Sequence, residues 1–380
     1  MYRVEKEQVA NYLINRTGLN ADLGFLEILD RLSCIQADPI NTVARSHEIA
    51  LFNRNKNFEK PSLYKALYTD RSLFEFWMQR YSIIPIRFFP FLNAMIDVPE
   101  SQRGEKSYNW KRSYEKAHRK EIRAVLKHIL NEGPTTGKNL AHLPKGKPVL
   151  SWNQKESQQA LLEFLWIIGE ITICGRNAGS RCYDLTERVI PREILKQKVS
   201  QEEAYRFLLN SHFKYLGIIR TAHLNRSGLG RVSGLRKELK NQLENGEVGQ
   251  ISIITKNAKK PIRYFIKTTD LPDLENATNR HKGLNILPPL DPLVIDRELL
   301  EDLFGFSYRW EAYTPVSKRK IGAYNMPILY DGHFIGQIDL ARDGPGLRTN
   351  HLSLHKDSYQ IRKSLKQAIV QLGYFCVNSL

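Results

Sequence analysis

The chain has 380 residues, a length that favours roughly two to four domains over one. Hydrophobic residues make up 42% and charged residues 26% of the sequence, a globular balance that excludes long disorder. The formal net charge of +17 predicts attraction to polyanions such as nucleic acid; general solubility is the alternative reason for such a surplus.

The apolar runs are short. The longest, residues 83–92 and 161–168, fall far below the roughly 20 residues of a membrane-spanning helix. Residues 1–7 lack the apolar centre of a secretory signal and are predicted to start an amphipathic helix. The four cysteines show no Cys-x-x-Cys spacing. We therefore expect a cytoplasmic protein, associated with the nucleoid, that carries no metal and no cofactor.

Two amphipathic helices are predicted near the start, over residues 6–14 and 22–32, because apolar side chains recur at helical spacing. A basic stretch at 103–123 follows and is interpreted as a charged connector or helix face.

After this stretch, three helices followed by a hairpin occur twice, the order of a winged helix. The first copy has helices over 119–130, from Thr135 or Thr136 to 140, and over 156–168, then a hairpin of 171–173 and 183–185. The second has helices over 202–209, 221–224 and 234–243, then a hairpin of 250–254 and 263–266. Both hairpin turns are basic, the second through Lys256, Lys259 and Lys260.

From Pro272 onward, Pro-rich turns and alternating segments predict a small β domain closed by a helix over 357–372. The sequence thus predicts an α+β protein. The expected domains are 1–118, 119–197, 198–272 and 273–380.

The segment Gln36-Ala37-Asp38-Pro39 is the candidate chemical centre. Pro39 pushes Asp38 towards an extended conformation, in which residues two apart point the same way. Gln36 and Asp38 would then share one face while Ala37 anchors the other. Such an acid and amide can hold a water between them. The alternative is an ordinary Asp-Pro turn.

Several residues are suited to phosphate contacts. Arg45, Ser46, His47 and Arg54 follow the candidate centre, and Lys318, Arg319 and Lys320 form a basic cluster near a predicted strand. The alternative for the cluster is a strand edge kept charged to prevent pairing.

Two other patterns are weak. Residues 133–139 resemble a phosphate loop, but the glycines are one residue too close and Asn139 replaces Ser or Thr. Asp331 and Asp339 suggest a nuclease carboxylate cluster, but no lysine lies two residues beyond.

The sequence resembles the winged-helix DNA glycosylases of the YcaQ and AlkZ type over nearly its whole length. The segments that carry the resemblance are Ile35-Gln36-Ala37-Asp38, Arg45-Ser46-His47, and residues 183–191, 290–297, 303–306, 318–319 and 336–340. The first of these matches the Gln-x-Asp branch of the family. Family members carry Trp-x-His-Glu-Ala where this chain has Trp77-Met78-Gln79-Arg80-Tyr81, so the roles of that His and Glu do not carry over.

The resemblance implies three winged helices and a C-terminal β-barrel that form a cationic cradle for double-stranded DNA. It implies that Gln36 and Asp38 catalyse hydrolysis of the N-glycosidic bond of N7-alkylated purines, crosslinked ones included, and that the protein is a monomer. Asp38 would activate a water that Gln36 holds. A non-catalytic transcription regulator is the alternative, and a metal-dependent nuclease is a third. An acid facing DNA favours the enzyme, because in a regulator it would repel phosphates.

Overall fold

A computed structural model describes residues 2–19, 21–78, 80–96, 105–148, 155–226, 232–254 and 262–377. Helices and strands alternate in a mixed α+β fold, and the strands of these residues form four separate sheets. In the described part of the chain, no helix is long and apolar enough to cross a membrane.

The chain starts with a strand and a helix that pack against much later parts of the sequence. Strand β1 (Tyr2–Glu5) pairs in parallel with Val248–Ile254, and helix α1 (Lys6–Thr17) follows directly. The prediction of a helix over residues 1–7 is therefore wrong for Tyr2–Glu5 and confirmed for Lys6 and Glu7. Val4 is buried in the core around its distant partner strand, and local periodicity carries no information about such a partner.

The first unit of the fold contains the candidate centre. Its elements are α2 (Phe25–Leu32), β2 (Ile35–Gln36), α3 (Ser46–Phe52), α4 (Lys60–Tyr68), β3 (Leu73–Met78) and β4 (Arg80–Pro85). Strands β3 and β4 form a hairpin, and β2 pairs with the free edge of β4. Helix α2 begins later than predicted because Asp22 has a φ of 50°, which is incompatible with a helix.

The second unit is reached through α5 (Phe89–Ile96) and α6 (Glu105–Ala117). Its elements are α7 (Arg119–Glu132), α8 (Gln158–Ile167), β5 (Ile171–Asn177) and β6 (Ser180–Leu185), and two short helices follow, α9 (Thr186–Val189) and α10 (Arg192–Leu195). The Ser157 side chain caps α8 by accepting a hydrogen bond from the Ala160 N–H, 3.2 Å away.

The short helix predicted from Thr135 or Thr136 to residue 140 is a run of turns instead. The Asn139 N–H donates to the Thr136 carbonyl at 3.1 Å, and Thr135 bonds to Tyr183 as an isolated bridge. The Thr136 hydroxyl accepts the Asn139 N–H at 3.4 Å, as a cap would, but the turns that follow do not continue as a helix.

The third unit repeats the same order. Its elements are α11 (Gln201–Leu216), β7 (Ile218–Ile219), a 3₁₀ helix (Thr221–Arg226), α12 (Val232–Glu244), β8 (Val248–Ile254) and β9 (Ile262–Lys267). The predicted basic turn with Lys256, Lys259 and Lys260 lies outside the described residues.

All three units share one topology. A helix leads into a short extended segment, which pairs with the second strand of the hairpin that ends the unit. The pairs are β2 with β4, Thr135 with Tyr183 of β6, and β7 with β9. The sequence predicted helices followed by a hairpin in the second and third units, but not the short extended segment that pairs with each hairpin.

The C-terminal part is an open sheet rather than the expected barrel. Its elements are α13 (Leu271–Glu275), β10 (Leu284–Ile286), α14 (Arg297–Phe304), β11 (Asn325–Tyr330), β12 (His333–Asp343), β13 (Gly346–Leu354) and α15 (Tyr359–Val377). The strands form an antiparallel meander in chain order, and β10 and β13 do not pair with each other within the described residues. Helix α15 packs against both of these edge strands, so it occupies the place where further pairing would close the sheet.

Candidate active site

A cavity of about 280 Å³ opens between the first and second units. The first unit lines it with the segment after β2 and with α4, β3 and β4, and the second unit with α8 and the β5–β6 hairpin. Asp38, Arg45 and His47, three of the site residues predicted from sequence, lie together in its wall.

The Asp38 carboxylate is buried and held on both oxygens. The Ile40 N–H donates to Oδ1 at 3.0 Å, and the Tyr324 hydroxyl of the C-terminal part donates to Oδ2 at 3.2 Å. Burial raises the pKa of Asp38, and these two hydrogen bonds oppose the shift. A carboxylate whose pKa is raised is a better proton acceptor near neutral pH.

His47 supports the backbone of Asp38. Its Nδ1 atom accepts a hydrogen bond from the Asp38 N–H at 3.2 Å, which places the proton of the neutral ring on Nε2. Burial lowers the pKa of His47 to about 4, so the ring is neutral at pH 7. The cavity therefore has a neutral imidazole beside the carboxylate.

Gln36, unlike Asp38, is not part of the cavity wall. The cavity is lined by Ala37 and Asp38 but not by Gln36, so the shared face predicted from the two-residue spacing is wrong for this cavity. Regular strand geometry ends at Gln36, and the Asp38 N–H bonds to His47 instead of a strand partner. Within the described residues, the Gln36 Oε1 atom is buried and has no hydrogen-bond partner.

A second buried carboxylate lies in the cavity wall. Glu75 of β3 is 1% exposed, accepts hydrogen bonds from the hydroxyls of Tyr68 and Tyr81, and forms an ion pair with Arg176 of β5. The Arg176 Nε atom also donates to the Tyr68 hydroxyl at 2.9 Å. This cluster joins the hairpin of the second unit to the first unit and so forms the cavity between them.

Sequence reasoning missed this cluster. The available signal was a single acidic residue within the otherwise apolar strand Leu73–Met78. Arg176 lies 101 residues further along, and no spacing rule connects the two.

Arg45 and Ser46 have different surroundings. The Arg45 Nη1 atom donates to the Tyr64 hydroxyl at 2.9 Å in the cavity wall, and the Arg45 N–H donates to Glu48 at 3.0 Å. Ser46 is fully buried, and its hydroxyl accepts the Leu290 N–H at 3.1 Å. Ser46 thus attaches the C-terminal part to the first unit.

Arg54 is also a structural residue in this fold. It is fully buried and pairs with both oxygens of Asp291, at 2.7 and 3.1 Å. Its Nε atom donates to the Thr17 carbonyl at 2.7 Å. With no exposed surface, this guanidinium is unable to touch a phosphate in the described structure.

Lys318, Arg319 and Lys320 lie in the loop between α14 and β11, with both lysines exposed. The loop leads directly to Tyr324, whose hydroxyl contacts Asp38. The cluster therefore lies close in sequence to a residue that contacts Asp38.

The carboxylates considered for a nuclease lie apart. Asp331 is in the turn between β11 and β12, whereas Asp339 pairs with Asn325 at the far end of the same hairpin. Asp339 accepts hydrogen bonds from the Tyr324 N–H and the Asn350 amide. Among the described residues, no group of acidic, His and Cys side chains has the arrangement of a metal site.

Two comparisons with known proteins bear on this site. The family model described as DNA glycosylase AlkZ-like matches residues 29–375. Among solved structures, the chain is similar to the DNA glycosylase AlkZ of Streptomyces sahachiroi, with a TM-score of 0.65 and 14% sequence identity over 100% of this chain and 98% of that chain. The structural likeness concerns the fold, and the family match spans most of the sequence.

Proposed function

The chain belongs to the AlkZ-like DNA glycosylase family, and we propose that it hydrolyses the N-glycosidic bond of N7-alkylated purines in double-stranded DNA, interstrand crosslinks included. The observation that carries the proposal is the Asp38 carboxylate, held at the cavity by Tyr324 and Ile40.

Hydrolysis of an N7-alkylated purine makes modest chemical demands, and the site offers groups that would meet them. Alkylation at N7 gives the purine a positive charge, so the base is already a good leaving group. The enzyme then has to stabilise the sugar cation that develops and to deliver water. Asp38 supplies a negative charge for the first task and a proton acceptor for the second.

In the proposed reaction, the bond between C1′ and the purine N9 breaks, and its electron pair neutralises the charge on the base. A water oxygen forms the new bond to C1′. The proton of that water passes to the Asp38 carboxylate, which the raised pKa favours. The products are the free alkylated base and an abasic site.

We assign Gln36 to hold the attacking water beside Asp38. Its Oε1 atom makes no hydrogen bond to the described residues and is thus available as an acceptor, although the side chain must turn towards the cavity on DNA binding. Gln36→Ala should then slow base release while leaving DNA affinity unchanged. Unchanged release would remove Gln36 from the mechanism.

Hydrolysis is favoured over Schiff-base lyase chemistry because no lysine is among the described residues that line the cavity. A covalent imine with the sugar requires an amine at that position. The proposal is therefore a monofunctional glycosylase.

We further propose that the three units are winged helices that together form a cationic scaffold for the duplex. The protein is proposed to work as a monomer. The net charge of +17 supports binding to the DNA backbone. The proposed phosphate contacts are Arg45, Lys318, Arg319 and Lys320, while Ser46, His47 and Arg54 have the structural contacts described above.

The test is incubation of the protein with duplexes that contain either a single N7-methylguanine or a nitrogen-mustard crosslink, and measurement of abasic sites in each. We expect abasic sites in both, undiminished by EDTA and without a borohydride-trapped adduct. Binding without base release would identify a regulator, and release from the monoadduct alone would limit the substrate range. Loss of activity in EDTA would indicate a metal-dependent enzyme.

A further inference from the structure

The loop between α14 and β11 exposes two large apolar side chains beside its basic cluster. Tyr313 is 81% exposed and Val316 is 77% exposed. Lys318, Arg319 and Lys320 follow within a few residues. Neighbouring exposed apolar side chains that are flanked by cations are typical of surfaces that enter and hold DNA.

The loop is held in a fixed shape. The Glu311 carboxylate is buried and accepts the N–H groups of Lys320, Ile321 and Gly322 at 2.9 to 3.1 Å. The Arg319 Nε atom donates to the Thr314 carbonyl at 2.9 Å. The exposed side chains are thus presented by a rigid frame, which reduces the entropy lost on binding.

A chain of contacts connects this loop to the candidate active site. The Tyr313 ring lies 5.5 Å from the Trp310 ring, and Trp310 lies 6.2 Å from the ring of Tyr324. The Tyr324 hydroxyl is 3.2 Å from Asp38. Two ring contacts and one hydrogen bond therefore separate Tyr313 from Asp38.

We propose that Tyr313 and Val316 form a wedge that enters the duplex beside the target nucleotide and unstacks it, while Lys318, Arg319 and Lys320 hold the neighbouring phosphates. Duplex DNA is the occupant because the apolar pair is bordered by three cations on a chain of net charge +17. The inference rests on the proposed function for the identity of the ligand as DNA. It adds the step by which a stacked base is loosened before its bond is cut.

The first measurement is the fluorescence of 2-aminopurine placed next to N7-methylguanine in a duplex, with the protein in an Asp38→Asn background. We expect a rise on binding that Tyr313→Ala and Val316→Ala each reduce. Tyr359→Ala is the matched control, since Tyr359 is 83% exposed on α15 and lies outside this loop. Both loop side chains are exposed, so the variants should fold, which circular dichroism checks.

The second measurement is the single-turnover rate of base release with Asp38 intact. Loss of base-aromatic stacking predicts a rate about tenfold lower for Tyr313→Ala on paired duplex. The loss should be smaller on single-stranded DNA with the same lesion, which needs no unstacking from a partner strand. A structural defect would lower both rates equally.

The wedge is overturned if binding leaves the 2-aminopurine signal unchanged, or if Tyr313→Ala behaves like Tyr359→Ala in both measurements. The proposed function fails separately: a fluorescence rise without base release by the wild-type protein would keep the wedge and remove the glycosylase activity.

Discussion

The hydroxyl of Tyr324 is the contact through which the C-terminal part acts on Asp38, and Tyr324→Phe removes it. Tyr324 is fully buried, and its hydroxyl is 3.2 Å from Asp38 Oδ2. A hydrogen bond to a charged group contributes about 1.5–3 kcal/mol. Because this bond stabilises the ionised carboxylate, its loss should raise the pKa of Asp38 further.

The assay is the single-turnover rate of N7-methylguanine release against pH, corrected for release without protein. The rate falls at low pH as Asp38 is protonated, and in Tyr324→Phe this acid limb should move to higher pH. Tyr308→Phe is the matched control, because Tyr308 is buried in the same part of the chain but donates to the Asn325 carbonyl at 2.8 Å. An acid limb that stays in place in Tyr324→Phe would refute the reasoning.

Two further predictions concern stability. Arg54→Met leaves the buried Asp291 carboxylate without its ion-pair partner and should lower the free energy of unfolding by about 3–5 kcal/mol in denaturant titrations. Lys65→Met, at the exposed Lys65–Asp70 pair, is the control and should change it little. Equal effects of the two variants would contradict the structural role of Arg54. Burial lowers the pKa of His47 to about 4 in the folded protein, whereas in the unfolded chain it is close to 6.5. Between roughly pH 6.5 and 4, therefore, His47 binds a proton in the unfolded chain but not in the folded protein. The free energy of unfolding should decline as pH falls through this window. His47→Asn, which keeps an acceptor near the Nδ1 position, should reduce that decline, and an unchanged pH dependence would argue against a buried neutral imidazole.

Local signals predicted much of the secondary structure. The repeated helices and hairpins of the second and third units were predicted from apolar spacing and turn residues, and most of their bounds in the structure lie close to those predicted. The sequence also predicted an extended conformation at Asp38, because Pro39 follows it just after a predicted helix. These features depend on residues that are neighbours in sequence.

The features that sequence reasoning missed depend on distant partners. Arg54 was predicted to contact phosphate, but in the structure it pairs with Asp291, 237 residues away in the sequence. Tyr324 contacts Asp38, from which it is separated by 286 residues. Tyr2–Glu5 is a strand because it pairs with β8. The open C-terminal sheet likewise depends on where α15 packs, which the strand pattern alone does not determine.

If Asp38 carries out the chemistry, Asp38→Asn should stop base release without weakening DNA binding. Asparagine keeps the shape of the side chain, and its single oxygen can still accept the Ile40 N–H while its amide N–H donates to the Tyr324 hydroxyl, which can turn to the Ala44 carbonyl 3.4 Å away. It has no negative charge, however, and is a poor base. Asp70→Asn, at an exposed aspartate paired with Lys65, is the matched control. We expect Asp38→Asn to bind N7-methylguanine duplex as tightly as the wild type and to release at least about a hundredfold less base, because a general base is lost. Wild-type release by Asp38→Asn would contradict this role of Asp38.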